Sequence, residues 1–358
     1  MKVEFVPLSP ALLPACAAFN QRLRERGEFE FYLPEEIPVA RTGGIAWTHY
    51  VAVDERASVR GGVLLMEQRG WLNQTEIPLV NIQSPLSEGI VDKAWSGVGL
   101  RLLQFLTRRS PYVYAIGMGG LQHSFPRLLA AAGWEVRPVP FQFAVLCANR
   151  FLREIGPLRQ GSRRIPARLL ASTGLGATAN FLWRAARRRP SSRGVALEKV
   201  SQWPDGLDEV WKRCRQGIGF SSVRDAKAAA DLYPEGRIHR FVLRVGGEVV
   251  GWSACLVSPM QNNAYFGNLV VGTVLDALAP ASHLSLLLSL TTDVLASLGA
   301  DLVVTNQTHS LWREHFRRLG YVDGPSNYLL ALSKPLKSGV LPDDTYVSRG
   351  DGDGRINL

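Results

Sequence analysis

The sequence has few of the residues that carry metal, redox or disulfide chemistry. Its 358 residues include only four cysteines and six histidines. The cysteines stand far apart, with no CxxC pair and no histidine at ligand spacing, and are Cys16, Cys147, Cys214 and Cys255. We interpret them as reduced, buried thiols. Zinc-site, EF-hand, Walker and nicotinamide-binding patterns are missing as well, so the sequence predicts no metal site.

A long hydrophobic run is also missing. One charge-free helical candidate, residues 169–183, is interrupted by Gly174, Gly176 and Asn180 and is too short to cross a bilayer. The N-terminal stretch MKVEFVPLSPALLPACAAF contains Glu4 and three prolines instead of the continuous apolar core of a secretory signal. These two absences predict a cytoplasmic protein.

Acidic residues are almost absent from one segment. Residues 150–193 contain eleven arginines, no lysine and a single acid, Glu154, and therefore carry a net charge of +10. That equals the formal net charge of the whole chain, so the remainder is neutral. A protein that coats nucleic acid more often spreads its basic residues over a folded face, which argues against a nucleic acid partner.

Three interpretations of this basic segment remain open. It is a solvated, partly helical linker, an amphipathic surface that docks on anionic lipid, or an RNA-binding segment. Apolar residues such as Phe181 and Trp183 alternate with the arginines, which favours lipid over RNA. The lipid alternative predicts a cytoplasmic protein that is peripheral to the inner membrane.

What is present is the composition of a globular protein. Hydrophobic residues make up 46% of the chain and charged residues 20%, as in proteins that bury a full core. The length corresponds to about two or three domains.

The predicted elements follow one another in the same order twice. Each half contains a hairpin, a strand, a helix, a strand, a short helix that ends at glycine plus an aromatic residue, and a last strand. The phrases FPRLLAAAGWEV and LWREHFRRLGYV occupy matching places. We therefore predict a domain at 1–149, a basic linker at 150–193, a related domain at 194–335 and a polar flexible tail at 336–358.

The stretch from Asn81 to Arg109 has the features of an anion-binding junction. A buried strand ends, a loop with two acids follows, and Gly97-Val98-Gly99 opens a helix. Glycines let the backbone approach a phosphate closely, and a helix start offers free N–H groups and a positive dipole end. The alternative is a tight strand-to-helix turn with a purely structural role.

This order of elements resembles the tandem-GNAT acyltransferases. The GNAT loop pattern is Gln/Arg-x-x-Gly-x-Gly/Ala, which Gly97 and Gly99 match, whereas Ala94 replaces the Gln or Arg. The phrases PLSEGIVD, GMGG and GFSSVRDAKAAADLYPEG are similar to double GNAT proteins of bacterial polysaccharide clusters. The second half lacks the glycine pattern, as the distantly similar Fem-type aminoacyl transferases also do.

The resemblance implies an α/β (α+β) fold of two GNAT-like domains, each a mixed, mostly antiparallel sheet flanked by helices. It also implies acetyl-CoA, or another acyl-CoA, as co-substrate. The residues that would hold the pyrophosphate through backbone N–H groups are Gly97, Val98, Gly99 and Leu100. A small-molecule amine would be the acyl acceptor, with an amino sugar or surface-polysaccharide precursor favoured.

Several polar residues near this junction are candidates for catalysis and substrate binding. Acyl transfer needs a base that removes a proton from the amine, and the candidates are Glu88, Asp92 and His123. Each has a structural alternative, as a turn cap or a surface residue. Asn81 and Gln83 lie two residues apart on a strand and point to one face. With Asn306 in the matching loop of the second half, they are candidate substrate-binding residues.

We therefore expect a CoA-dependent N-acyltransferase. A Fem-type transferase that uses aminoacyl-tRNA is the alternative enzyme. A double GNAT protein that has lost catalysis and binds at the membrane surface is the alternative without enzymatic activity. The sequence does not indicate an oligomeric state.

Overall fold

The computed structural model describes residues 3–27, 29, 31–38, 43–156 and 194–352. It divides the chain into two compact units. Unit 1 comprises Met1–Val139 and Asn327–Val340, and unit 2 comprises Pro140–Ser326 and Leu341–Leu358. Unit 1 therefore contains a segment from the C-terminal part of the chain, and this segment interrupts unit 2 in the sequence.

The strands of the described residues are, in chain order, β1 (Val3–Pro7), β2 (Ala46–Asp54), β3 (Val59–Leu72), β4 (Thr75–Ser87), β5 (Val113–Gly117), β6 (Glu135–Pro138), β7 (Phe141–Val145), β8 (Val195–Lys199), β9 (Phe220–Ser222), β10 (His239–Val245), β11 (Glu248–Pro259), β12 (Val270–Leu278), β13 (Leu302–Asn306), β14 (Val322–Gly324) and β15 (Leu329–Leu332).

The helices are α1 (Leu13–Arg24), α2 (Val98–Arg109), α3 (Ser124–Ala131), α4 (Ala148–Glu154), α5 (Leu207–Cys214), α6 (Ala226–Leu232), α7 (Ala281–Ser297), α8 (Ser310–Arg318) and α9 (Lys334–Gly339).

The two sheets have the same plan. In unit 1 the strand order is β1-β2-β3-β4-β5-β15-β6, and in unit 2 it is β8-β10-β11-β12-β13-β7-β14. The central pair of each sheet, β4 with β5 and β12 with β13, is parallel. The other neighbours along each order are antiparallel. The predicted fold class of two mixed, mostly antiparallel sheets is thus confirmed.

The two sheets exchange one strand each, which the sequence did not predict. The last strand of the first half is in fact two strands, of which β6 pairs in the first sheet and β7 in the second. Likewise β15 pairs with β5 and β6 of unit 1 rather than with the second half. Apolar alternation marks a segment as a strand but does not say which edge it joins. The predicted boundaries at 149 and 194 therefore differ from the observed units.

The core of unit 1 follows from amphipathic spacing. Leu102, Leu103 and Leu106 of α2 pack on Val80 and Ile82 of β4, together with residues of β5 and α3. Alternate strand residues point to opposite faces, so the opposite face of the sheet receives α1. There, a second cluster is built on Cys16, Phe19, Leu23, Leu33, Val51, Val59 and Leu86.

The predicted flexible tail is largely folded. Helix α9 covers its start, and Tyr346 and Val347 are buried at 0% and 1% exposure. Two single-turn 3-10 helices, Pro342–Asp344 and Arg349–Asp351, complete the segment. Only residues 353–358 of the predicted tail lie outside the described residues.

The basic segment is described only at its beginning. Helix α4 belongs to unit 2, where Arg150 forms an ion pair with Asp301 at 2.7 Å and Glu154 accepts a hydrogen bond from the Asn268 amide nitrogen. The rest of the predicted lipid-docking surface, residues 157–193, lies outside the described residues. Among the helices that are described, none has the length and hydropathy to span a membrane.

Candidate functional site

The central strands of unit 1 separate after three paired residues. Val80, Asn81 and Ile82 of β4 pair with Val113, Tyr114 and Ala115 of β5. Strand β4 then runs on to Ser87, while the end of β5 pairs with β15. In the described chain, β4 therefore has no strand partner on the β5 side beyond Ile82. We call this unpaired edge between the two strands the opening.

A bulge in β4 accounts for this separation. The register between β3 and β4 shifts between Gly62 and Leu64, opposite Ser84 and Pro85. Ser84 has φ of +46°, a conformation that costs energy for a residue with a side chain. A bulge bends its strand and increases the local twist, which turns the end of β4 away from β5. Strained backbone of this kind occurs often at functional sites.

Helix α2 begins at the same edge of the sheet, because it follows β4. The first N–H groups of a helix lack intrahelical partners. Gly97 is the N-cap residue of α2. Among the residues that the structure describes, no side chain accepts a hydrogen bond from the first N–H groups of the helix, and its first turn contains no acid. The position of an added Gly97 Cβ has nothing within 4 Å. The start of α2 therefore suits an anion both electrostatically and sterically.

Gly99 has a structural explanation as well. A Cβ at this position would lie 2.9 Å from a Leu128 methyl group, so the glycine lets α2 and α3 pack closely. Of the two glycines in the motif, Gly97 alone faces open space. Val98 is buried, and Leu100 is 54% exposed.

Glu88 is held in a network of ion pairs. Its side chain is 6% exposed, and the carboxylate accepts hydrogen bonds from Arg22 at 2.7 and 3.1 Å and from Arg60 at 3.0 Å. Arg60 also pairs with Asp54 at 2.8 Å and lies over the Trp95 ring. Burial alone would lower the pKa of Arg60, but Asp54 and Glu88 outweigh it and raise that pKa. Glu88 thus anchors the loop that leads to α2, a geometry that does not favour a catalytic base.

Asp92 also has a structural partner. Its exposed carboxylate accepts a hydrogen bond from the Ala94 N–H at 2.9 Å and caps the turn Lys93–Trp95. Ala94, which replaces the Gln or Arg of the GNAT pattern, is exposed in this turn beside Lys93.

His123 lies in the connection between β5 and α3, where it is the N-cap of α3. The connecting residues 117–120, the GMGG phrase, all have positive φ, which explains the three glycines. A Cβ on Gly119 would lie 3.1 Å from His123 Nε2, so the imidazole rests against this glycine. The side chain is exposed, and it follows the strand that borders the opening.

Asn81 is fully buried, and neither atom of its amide has a hydrogen-bond partner among the described residues. The Gln83 Nε2 atom, two residues further on, is buried and unpartnered as well. A buried polar group that lacks its partner costs about 1–3 kcal/mol. Across β4, Gln68 donates a hydrogen bond to the Tyr114 hydroxyl at 2.9 Å. The structure therefore places both predicted residues in one polar cluster beside the opening.

The corresponding opening in unit 2 is occupied by the chain itself. Strands β12 and β13 pair over Val271–Val274 and Leu302–Thr305 and then separate. The Ala277 carbonyl, on the unpaired part of β12, accepts hydrogen bonds from Trp312 Nε1 at 2.7 Å and the Tyr346 hydroxyl at 2.8 Å. The segment around Tyr346 also bonds to Phe220 and Thr308. Two side chains of unit 2 thus already donate hydrogen bonds to a backbone carbonyl with which a ligand at this edge would otherwise pair.

A buried ion network supports this arrangement. Arg224 donates to Asp276 at 2.7 Å and to Asp351 at 2.6 Å, and all three side chains are at most 1% exposed. Asp276 also accepts from Tyr233 and Tyr346. Burial alone would lower the pKa of Arg224, but the two aspartates raise it well above its ordinary value. The sequence analysis missed this network, because Asp351 lies in a segment that is polar and rich in glycine.

Asn306, the third predicted substrate residue, belongs to unit 2. Its side chain accepts a hydrogen bond from Arg349 at 3.0 Å and donates one to the Pro140 carbonyl at 3.5 Å. It is 1% exposed. Its described contacts are thus structural.

No group of three or more His, Cys, Asp or Glu side chains that could hold a metal ion occurs among the described residues.

The fold matches solved structures. The N-myristoyltransferase of Saccharomyces cerevisiae with bound myristoyl-CoA superposes with a TM-score of 0.52 and 12% identity, over 92% of this chain and 78% of that chain. A conserved protein of Enterococcus faecalis V583, called a probable N-acyltransferase, gives 0.50 and 11%, over 92% and 72%. No protein-family model and no curated protein matches the chain.

A tandem GNAT protein from the clavulanic acid biosynthesis pathway is similar over 93% of this chain and 99% of its own, at 14% identity, with a TM-score of 0.46 that is too low to argue from. At these identities the first two likenesses show the fold, which is that of the N-acyltransferases named.

Proposed function

We propose that unit 1 is a CoA-dependent N-acyltransferase. The observation that carries this proposal is the opening between β4 and β5 beside the uncapped start of α2. Both features lie at the edge where the strands end, which is where ligands bind in sheets that contain parallel strands.

The two features suit two parts of one acyl-CoA molecule. The N–H groups of Val98, Gly99 and Leu100 would bind the pyrophosphate, with Gly97 leaving room for it. The backbone of β4 beyond Ile82 has no β5 partner in the described chain. It would pair with the amides of the pantetheine arm as an added strand does. In unit 2 the Ala277 carbonyl, on the corresponding part of β12, already accepts hydrogen bonds from Trp312 and Tyr346, so it is not available to such an arm.

The reaction is a direct acyl transfer. The lone pair of a neutral acceptor amine attacks the thioester carbonyl carbon. A C–N bond forms and the C–S bond breaks. The amine proton passes to a base, and CoA leaves as the thiolate, which takes a proton from water and becomes the free thiol. His123, exposed in the connection that follows β5, is our proposed proton acceptor, directly or through water. Glu88 and Asp92 have structural partners, so we assign them no proton transfer.

Acetyl-CoA is the predicted donor. The amino-sugar acceptor that the sequence resemblance implies stays a prediction, as does the cytoplasmic location.

The proposal is tested by ligand binding. We expect acetyl-CoA or a longer acyl-CoA, at about 100 times its Kd, to stabilise the protein by about 2.7 kcal/mol in thermal unfolding. Gly97→Asp should remove this shift, because the new carboxylate occupies the anion site. It should not destabilise the fold, since an acid near a helix N-terminus is favourable. Gly97→Asn is the matched control, equal in size and neutral, and should keep more affinity.

No shift with acetyl-CoA, myristoyl-CoA or free CoA would overturn the proposal. Binding that Gly97→Asp leaves intact would reject the assignment to α2. Binding of aminoacyl-tRNA in place of CoA would favour the Fem-type alternative.

A further inference from the structure

Three large apolar side chains are exposed at the edge of unit 1 where the proposed acyl-CoA site lies. Ile90, Leu100 and Leu121 are 52%, 54% and 55% exposed. Exposed apolar residues that are scattered singly need no explanation, but a group of them at one place marks a site of interaction. These three residues are therefore candidates for contact with a partner.

The three residues belong to segments that leave the sheet at one edge. Ile90 follows β4, Leu100 lies in the first turn of α2, and Leu121 follows β5. Because β4 and β5 are parallel neighbours, the chain leaves both strands at the same edge of the sheet. We call Ile90, Leu100 and Leu121 the apolar rim.

The same segments carry an excess of positive charge. Lys93, Arg101 and Arg127 are exposed, and none of them forms an ion pair with a described residue. Arg101 donates a hydrogen bond to the neutral Gln104 side chain at 3.1 Å. The one acid between residues 89 and 127 is Asp92. An acidic surface would therefore be complementary in charge to the surroundings of the apolar rim.

The matching edge of unit 2 lacks this combination. Residues 279–282, which follow β12, are Ala-Pro-Ala-Ser and include no leucine, isoleucine, aromatic residue or cation. Gln307, Thr308 and His309, which follow β13, are at most 6% exposed. The apolar rim is therefore not a general property of this sheet plan and occurs in the unit with the proposed donor site.

The donor site indicates which partner the rim would suit. The start of α2 has open space for an anion at Gly97, and Ala94, in the turn before it, has no side chain that could bind a second phosphate. A phosphopantetheine arm carries one phosphodiester and the same pantetheine thioester as acyl-CoA. In an acyl carrier protein this arm is attached to the surface of a small acidic protein, which takes the place of the nucleotide.

We infer that the apolar rim and the three cations beside it form a docking surface for an acidic acyl carrier protein, whose phosphopantetheine arm binds β4 at the opening. This inference rests on the proposed acyl transfer and adds a second class of donor, a thioester that is carried by a protein. The transfer step is the one written for acyl-CoA, with the thiol of the carrier's arm as the leaving group. Leu121 and Arg127 contact the carrier protein and not acyl-CoA.

The experiment measures the affinity of the full-length protein for three probes by isothermal titration. The probes are an acyl carrier protein whose arm bears an acetyl group, the same carrier protein without the arm, and acetyl-CoA. The acetylated carrier should bind at least about tenfold more tightly than the carrier without the arm, because it fills both the rim and the opening. Its affinity should fall as the salt concentration rises, because salt screens the attraction between the cations and the acidic carrier.

Variants of the rim separate the carrier protein from acyl-CoA. Leu121→Asp and Arg127→Glu each add negative charge to the surface and should weaken binding of the acetylated carrier by at least about tenfold. Both variants should bind acetyl-CoA within about twofold of the wild-type affinity, which also shows that they are folded. Leu298→Asp, at an apolar position of unit 2 that is 43% exposed, is the matched control and should leave both affinities unchanged.

Binding of acetyl-CoA without binding of the carrier protein would overturn the inference and leave the proposed function standing. Failure of both donors to bind would reject the proposed function as well. Equal losses for acetyl-CoA and the carrier in Leu121→Asp would overturn the inference by assigning the rim to the CoA nucleotide. Binding to phosphatidylglycerol vesicles in place of the carrier protein would overturn it in favour of a membrane contact.

Discussion

Unit 1 and unit 2 share one sheet plan and differ in what lies between their two parallel strands. In unit 1, β4 and β5 separate beside a helix start that is open at Gly97. In unit 2, β12 and β13 separate in the same way, but Trp312 and Tyr346 donate hydrogen bonds to the buried carbonyl of Ala277. The same fold thus yields one opening that is suited to a ligand and one that the protein fills itself.

The buried polar residues at the two openings also differ in whether they have hydrogen-bond partners. The carboxylates of Asp276 and Asp351 accept from Arg224 and from neighbouring hydroxyl groups, so each of these buried carboxylates has an ion-pair partner and further hydrogen bonds. The amide of Asn81 in unit 1 is neutral and has no partner in the described chain. Paired buried charges stabilise one arrangement of a chain, whereas an unpaired amide costs stability until something binds it.

The largest effect is expected from removing the charge at the centre of the unit 2 network. Arg224→Met leaves two buried aspartates without their cation, and we expect the free energy of unfolding to fall by about 3–5 kcal/mol. Urea unfolding measures this loss. Arg244→Met, which removes an exposed pair with Glu198, is the control and should cost less than about 1 kcal/mol. A loss equal to that of the control would show that the network does not support unit 2.

A smaller effect is expected from the hydroxyl group that closes the unit 2 opening. Tyr346→Phe removes the hydrogen bonds to Asp276 and Ala277, and the free energy of unfolding should fall by about 1–3 kcal/mol. Calorimetry of the variant checks this value. The acetyl-CoA affinity of unit 1 should not change, and a change of more than about threefold would contradict the separation of roles.

The loop before α2 gives a third test, because it bears on how unit 1 holds its helix start. Glu88→Gln weakens the pairs to Arg22 and Arg60, of which Arg22 is 34% exposed, so stability should fall by only about 1–2 kcal/mol. The KM for acyl-CoA should rise about three- to tenfold, with kcat within about twofold of wild type. Steady-state kinetics decides between this anchoring role and a base, since loss of a base would lower kcat by about a hundredfold or more.

The smallest expected effect is the contribution of His309, in unit 2, to the pH dependence of stability. His309 accepts a hydrogen bond from the Leu311 N–H at Nδ1, and its Nε2 lies 3.0 Å from the Gly217 carbonyl. Burial lowers the pKa of His309, although Gly217 and two nearby aspartates oppose this shift. The unfolded chain, with an ordinary histidine pKa of about 6.5, therefore binds the proton more readily.

Stability should consequently fall as the pH drops below about 6.5, by at most about 1.4 kcal/mol per pH unit for this residue. His309→Gln should flatten the decline measured by urea unfolding between pH 7 and 5. An equally steep decline in the variant would assign it to the other histidines with lowered pKa values, His49, His239 and His315.

The sequence predicted the repeated order of elements well, because hairpins, glycine stops and amphipathic helices are local signals. It did not predict the exchange of β7 and β15, since strand partners are fixed by contacts distant in the chain. The role of Glu88 was not predicted for the same reason, because its partner is distant in the chain. Its residue type and place suggested a base, but Arg22, 66 residues away, decides its environment.

The C-terminal segment was predicted wrongly from its composition. Residues 341–352 are polar enough to resemble a flexible terminus, yet Tyr346 and Asp351 are buried by partners in other parts of unit 2. For Asn81, by contrast, strand periodicity was sufficient to place it with Gln83 on one face. That both lack hydrogen-bond partners in the described chain could be learned only from the structure.

The central claim is that this double fold has one acyl-CoA site, at the start of α2. Isothermal titration of the full-length protein with acetyl-CoA tests it most directly, with Gly97→Asp in unit 1 compared with Ser282→Asp at the matching helix start of α7. We predict one acetyl-CoA per chain for the wild type and for Ser282→Asp, and none for Gly97→Asp. Two molecules per chain, or one that is lost in Ser282→Asp and kept in Gly97→Asp, would contradict the account.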